Sequence, residues 1–218
     1  MILNVHNELS SIGVLAGLVS ASAVSVGESA PALLQELRDL VAQRSKEEFP
    51  PARVKEGVRA LLRRGGFKPS GRNKPASEYL AQAAREGRFP FINNLVDINN
   101  LISLESGLPV SLLDGDVCAG ALSIRLGRAG ESYVFNQAGQ EIALEGLICV
   151  CADGKPLGNP VKDSLLAKVK ADTSKALGVV YACALETERA GLEALLVRFA
   201  GLLEKYGAAC GLEIQLSA

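Results

Sequence analysis

The spacing of apolar residues changes near Gly120, and that change restricts the fold class more than any other feature of the chain. Before it, apolar residues recur every three or four positions, the period of a helix face. After it they fall into short β-prone runs separated by glycine. Pro31 marks a helix start, with Leu33, Leu34, Leu37, Leu40 and Val41 on one face. A second helix follows Pro51, carries Val54, Val58, Leu61 and Leu62, and stops at Gly65 and Gly66. Ser77 is expected to cap a short helix ending at Gly87, and another helix is predicted over Leu95 to Ser106, closed by Gly107 and Pro109. Strands are predicted at 1–6, Val14–Val19, Ala121–Leu126, Ser132–Phe135, Ala143–Cys151, Gly178–Leu185 and Cys210–Leu216, with an amphipathic helix over 187–206. Strict strand-helix-strand alternation is missing. The pattern therefore predicts an α+β class, in which a helix-rich N-terminal third packs on a mixed or largely antiparallel sheet. With no internal repeat and no long linker, residues 1–218 are read as a single domain.

Composition removes several kinds of chemistry. The chain holds one histidine, His6, and five cysteines without CxxC spacing. A histidine-rich metal centre is excluded, and a Ser-His-Asp or Cys-His unit would have to rely on His6. The cysteines read as buried free thiols rather than a disulfide framework. No window approaches the roughly 18 to 20 apolar residues of a membrane span, so no membrane partner is expected and a cytoplasmic location is the default.

Charge is balanced overall, with 23 Lys+Arg against 24 Asp+Glu, yet it is unevenly spread. Arg53, Lys55, Arg59, Arg63, Arg64, Lys68, Arg72 and Lys74 face a single acid, Glu56, in one 22-residue segment. Such a stripe attracts a phosphate backbone, and the alternative is a solvated helix face. The lack of Trp and the net charge of −1 argue against tight, sequence-general nucleic-acid binding, and DNA is not an expected partner. From Asn93 to Asn100, amides and Asp97 interleave with apolar residues at a helix start, either as caps or as a polar pocket floor. From Gly107 to Asp114 composition implies a turn. A polar loop is predicted from Asp153 to Ser164, and its part from Gly158 gathers Asn159, Lys162, Asp163 and Ser164, one cation, one carboxylate and one hydroxyl that suit a polar ligand.

The order of these residues resembles a known module. Asn94, Val96, Asp97 and Asn100, then Glu105, Gly107, Pro109, Ser111 and Asp114, then Arg125, Gly130 and Glu131, resemble the editing module of the bacterial phenylalanyl-tRNA synthetase beta subunit. The resemblance runs from about Phe89 to Leu185 and implies an α+β module enclosing a pocket for the aminoacyl end of tRNA. The chain looks like a standalone carrier of that module. In the family, the module hydrolyses a mischarged aminoacyl ester. Here the family's pocket His is replaced by Ser111, and the nearest match to its pocket Glu is Asp163.

The resemblance thus implies catalytic roles for Asp163 and Ser111, and a substrate-binding wall of Asn94, Asp97, Asn100, Asp114, Lys162 and Ser164. Arg59, Arg63, Arg64, Lys68, Arg72 and Lys74 would approach the aminoacylated acceptor end of tRNA. The expected activity is trans-editing deacylation without a metal or organic cofactor. The rival readings are a non-catalytic tRNA-binding module of the same fold and a pocket protein for a free amino acid. The tRNA, the amino acid and the oligomeric state stay open.

Overall fold

A computed structural model describes residues 3–184 and 187–217. The start of the first predicted strand and the end of the strand predicted to reach Leu185 lie outside the described residues. The secondary structure is α+β. Strands β1 (Val5–Asn7) and β2 (Val14–Ser22) precede four helices, α1 (Pro31–Arg44), α2 (Ala52–Arg63), α3 (Ala76–Arg85) and α4 (Asn94–Ser106). There follow β3 (Val110–Asp114), β4 (Leu122–Leu126), β5 (Ser132–Val134), β6 (Glu141–Ala143), β7 (Ile148–Ala152), β8 (Lys155–Gly158) and β9 (Lys175–Cys183). The helix α5 (Arg189–Gly207) and the strand β10 (Cys210–Ser217) come last.

The strand order β10-β2-β9-β3 makes a fully antiparallel central sheet. A second sheet, β1-β4-β7-β8, is mixed because β1 runs parallel to β4. Strands β5 and β6 form a separate hairpin.

Alternation along β2 and β9 explains how the layers stack, since successive side chains point to opposite faces. Leu15, Val19 and Ala21 of β2 join Val180 and Ala182 of β9 in one apolar cluster with α1, α3, α4 and α5. Val14, Ala16 and Leu18 join Leu177, Val179 and Tyr181 in another, with the second sheet and the end of α2. Strands β2, β9 and β3 of the central sheet are thus buried on both faces, while the edge strand β10 is largely open. Gly178 lets α5 approach: an ideal Cβ there would stand 2.5 Å from Phe199 Cε1. A second close approach is reciprocal. A Cβ on Gly65 would lie 2.0 Å from the carbonyl oxygen of Gly146, and one on Gly146 would lie 2.0 Å from that of Gly65. This seam fastens the end of α2 to the turn between β6 and β7.

Several expectations need correction. Pro75, not Ser77, occupies the cap position of α3, and Ser77 is buried in the first turn. Asn93 caps α4 by accepting from Val96 N at 2.9 Å, so neither Asn94 nor Asp97 is the cap. The run Ala143–Cys151 is not one strand, because the chain turns at Gly146 with φ +72°. The segments read as turn and loop contain β3 and β8. Both pair with strands far stronger than themselves, β3 with β9 and β8 with β7.

No helix of the described residues is long and apolar enough to cross a membrane.

Candidate functional site

Beyond β3, the edge strand of the central sheet, lies a cavity of about 890 Å3. Its lining comes from the 71–82 segment with α3 and Arg88 beyond it, the α4 amides Asn99 and Asn100, Val110 of β3, the hairpin residues Phe135, Asn136 and Gln140, and the loop carrying Val161, Lys162 and Asp163 with Lys168 after it. Five basic side chains reach it, Arg72, Lys74, Arg88, Lys162 and Lys168, against one carboxylate, Asp163.

Asp163 is placed by a small network. Its Oδ1 accepts from Ser111 Oγ at 2.6 Å and from Asn159 N at 3.2 Å. Ser111 Oγ also lies 3.1 Å from the Tyr181 hydroxyl. Ser111 pairs with Val179 in the sheet, so Tyr181, two residues on, projects from the same face as its diagonal neighbour. Gly158 makes room, since a Cβ there would meet Asp163 Oδ1 at 2.7 Å. Burial pushes the Asp163 pKa up to about 6, opposed by the Ser111 and Asn159 hydrogen bonds and by the charge of Lys168. Burial, and then repulsion from Arg72, lowers that of Lys162. The Lys162 ammonium sits 4.2 Å from the Phe135 ring centroid.

Asn159, 2% exposed, organises the loop. Its Oδ1 accepts from Val161 N at 2.8 Å and Lys162 N at 2.9 Å, and its amide donates to the Tyr133 hydroxyl at 2.6 Å. That hydroxyl in turn donates to Lys162 O at 2.7 Å. Among the described residues, Asn100, 6% exposed, lines the cavity without a side-chain hydrogen bond, and Asn99 Oδ1 also has none. An unpaired buried acceptor is costly, which makes Asn99 Oδ1 a ready partner for a ligand, with the Asn100 amide open to the cavity beside it.

The structure separates residues that the sequence grouped. Asn100, Lys162 and Asp163 line the cavity; Ser111 stands directly behind Asp163. Asn94 does not line it: its amide joins Gly27 N, Ser25 O and Tyr206 O at 2.8 to 2.9 Å and ties α4 to two other segments. Asp97 accepts from Ser29 Oγ at 2.6 Å and Ile92 N at 3.0 Å, again a tie within the fold. Asp114 accepts from Asp116 N in the turn after β3, and Ser164 from Leu166 N in a single helical turn. The expectation that Asn94, Asp97, Ser111, Asp114 and Asp163 share one cavity is therefore not met.

The basic segment also divides. Arg72 and Lys74 line the cavity, while Arg63 and Lys68 line a separate depression of about 290 Å3. Arg59 makes a bidentate pair with the buried Glu78, 2.6 Å in each arm, and Arg64 lies against Gly13. Residues not singled out from the sequence, Tyr79, Arg88 and Phe135, also line the cavity, together with Asn99 from the amide run read as a pocket floor. They come from separate elements and share no local pattern. Among the described residues no group of three or more His, Cys, Asp and Glu side chains gathers as a metal site. His6 lies exposed on β1, away from the cavity.

The B3/4 domain family matches residues 67–189, more than half of the chain. The chain belongs to the B3/4 domain family. The match includes the cavity loop, α3, α4 and every strand from β3 to β9. This B3/4 domain is 26% identical over 109 residues to the phenylalanine–tRNA ligase beta subunit of Clostridium tetani (strain Massachusetts / E88), covering 49% of this chain and 13% of that protein. Its fold is similar to the crystal structure of an N-terminal fragment of the phenylalanyl-tRNA synthetase beta subunit from Pyrococcus horikoshii, with a TM-score of 0.50 at 13% identity. That likeness covers 97% of this chain and 50% of the fragment, and at such identity it is one of fold. The chain thus spans about an eighth of the curated relative and half of the solved fragment.

Proposed function

We propose that this B3/4 domain, acting as one unit over residues 1–218, is a trans-editing deacylase that hydrolyses the ester of a mischarged aminoacyl-tRNA in the cytoplasm. One observation carries the reading. A single carboxylate, held rigidly by Ser111 and Asn159 N, stands among five cations and two unpartnered amides in one cavity. An aminoacyl-tRNA end has the complementary chemistry: an ammonium or attacking water for Asp163, polar groups for Asn99 and Asn100, and phosphates for Arg72, Lys74 and Lys168. The ester is already activated, so positioning a water and stabilising the developing oxyanion suffice. Asp163, ionised above about pH 6, orients the water or the amine. Lys168 supplies positive charge near it, and Lys162 lines the same cavity. No metal or organic cofactor enters this scheme.

The experiment is a deacylation screen of the wild type and Asp163→Ala against a panel of mischarged tRNAs. Hydrolysis by the wild type and its loss in the variant support the reading; wild-type rates in the variant remove Asp163 from it. Ser111 favours a second reading. It stands where the family's His would be, is 1% exposed and does not line the cavity, so neither an imidazole nor a hydroxyl nucleophile faces the substrate from that position. A tRNA-binding module without catalysis fits that feature. Binding of every mischarged tRNA without hydrolysis would establish it.

A further inference from the structure

The one half-exposed aromatic ring on the cavity wall is fixed in a way that packing alone does not require. Tyr79 is 50% exposed and projects from α3. The Arg88 guanidinium lies 5.4 Å from its ring centroid, and Arg88 Nη1 donates to its hydroxyl at 3.3 Å. Arg88 is held in turn by the Glu86 carboxylate. Glu86 accepts from the Gln82 amide at 2.5 Å, and Gln82 accepts from the Lys74 ammonium. A belt of five side chains, Lys74, Gln82, Glu86, Arg88 and Tyr79, therefore runs along the outside of α3. All but Glu86 reach the cavity.

The belt sets a flat aromatic and a flat guanidinium next to each other, in a wall that also carries Arg72. No carboxylate of the described residues lies within ion-pair distance of Arg72, Lys162 or Lys168, so their charges remain available. An unpaired nucleotide offers the matching groups, a π face for the ring or guanidinium and a phosphate for the cations. The part of the lining away from α3 differs in character. Asn100 and Val110 are each 6% exposed there, and Asp163 is the only carboxylate, which suits an aminoacyl group and not a base.

We propose that Tyr79 and Arg88 form a stacking seat for an unpaired nucleobase at the end of an RNA strand, with Arg72 and Lys74 receiving the adjoining phosphate. The seat rests on the deacylase reading and divides its cavity in two. The nucleotide lies at the rim on α3 and the acyl group lies at Asp163. The belt's contacts bias the ring and guanidinium towards this arrangement before the ligand arrives, which lowers the side-chain freedom lost on binding. The fixed seat also sets the direction in which the strand enters.

The test uses the full chain and a single-stranded RNA oligonucleotide carrying 2-aminopurine as its 3′-terminal base. Stacking quenches that fluorophore. The wild type and Tyr79→Phe are expected to quench it and to bind alike, whereas Tyr79→Ala loses the quench and binds about ten-fold more weakly, the usual effect of one base stack. Arg72→Ala weakens binding but keeps the quench. Tyr79 is half exposed, and circular dichroism verifies that its variants fold. Binding by the wild type without quench, or unchanged binding and quench in Tyr79→Ala, overturns the seat while leaving RNA affinity in place. Failure of the wild type to bind the oligonucleotide overturns the seat, and deacylation of mischarged tRNA by the same preparation then shows whether the deacylase reading falls with it.

Discussion

Ser111 donates its hydroxyl proton to Asp163 across 2.6 Å although 52 positions separate them in the chain. The bond joins the edge strand of the central sheet to the loop that follows the second sheet. Ser111 therefore acts on the cavity through Asp163, without entering it. Its replacement by Ala should raise the Asp163 pKa further, because the hydrogen bond favours the carboxylate. A carbon-detected NMR titration of the Asp163 carboxyl, with the wild type titrating near pH 6, measures that shift.

Asp163 should cost stability in the range where it is ionised. Its folded pKa, about 6, lies above the ordinary value of 3.8, so the native state binds the extra proton between these limits. Stability then falls as pH rises through that window and stays lower above it. Asp163→Asn keeps an acceptor for Ser111 and removes the charge. Urea unfolding is expected to show the variant more stable by up to about 3 kcal/mol at about pH 7.5, with the gap closing towards about pH 4.

Deacylation should rise with pH through about 6, following ionisation of Asp163, if the carboxylate orients the water or the amine. A rate profile for the most reactive mischarged tRNA tests this. In Asp163→Ala the rise should disappear and kcat should drop more than KM changes. A wild-type profile that stays flat on both sides of about pH 6 contradicts the assignment.

Arg59 and Arg72 should behave differently, although the sequence places them in one stripe. Arg59→Ala leaves the Glu78 carboxylate buried without its partner, at about 2 kcal/mol of stability, and should not alter the salt dependence of tRNA binding. Arg72→Ala together with Lys74→Ala should leave stability nearly unchanged and raise KM. It should also flatten the plot of log affinity against log salt by roughly 0.7 to 0.9 for each phosphate that is no longer neutralised. Thermal unfolding and salt titrations of both variants separate the two effects.

Gly178→Ala should destabilise the fold by about 1 to 3 kcal/mol, because the new methyl meets the Phe199 ring of α5. Denaturant unfolding at fixed pH measures it. A neutral outcome would mean that α5 shifts off the sheet with little resistance.

The four early helices are legible in the sequence because each keeps an apolar face with a three- or four-residue period and carries Pro or Gly at an end. Strand β3 is not, since all five of its residues are buried and nothing alternates. Strand β8, Lys155–Gly158, contains Pro and Gly and forms because β7 offers it a ladder, a relation that its own residues do not express. The site divides in the same manner. Family resemblance pairs Ser111 with Asp163, and the two share a hydrogen bond. It does not separate residues that shape a wall from residues that knit the fold, because a buried Asn or Asp at a helix start has the same sequence signature in both roles. Asn94 and Asp97 are of the knitting kind, and so is Arg125, whose bidentate pair with Glu131 at 2.8 Å uses two more residues of the resemblance. Tyr79, Arg88 and Phe135 are silent for another reason: they meet only once α3 and the hairpin are folded.

Gly65 and Gly146 occupy one another's missing side-chain volume, so neither position can vary by itself. A methyl at one collides with backbone at the other, and backbone has no rotamer to which it can retreat. The two sites are consequently locked as a pair across a long stretch of chain. Transplanting the basic segment into a different scaffold would require carrying over its counterpart turn as well, and loop exchange between relatives should succeed only where both ends of this seam travel together.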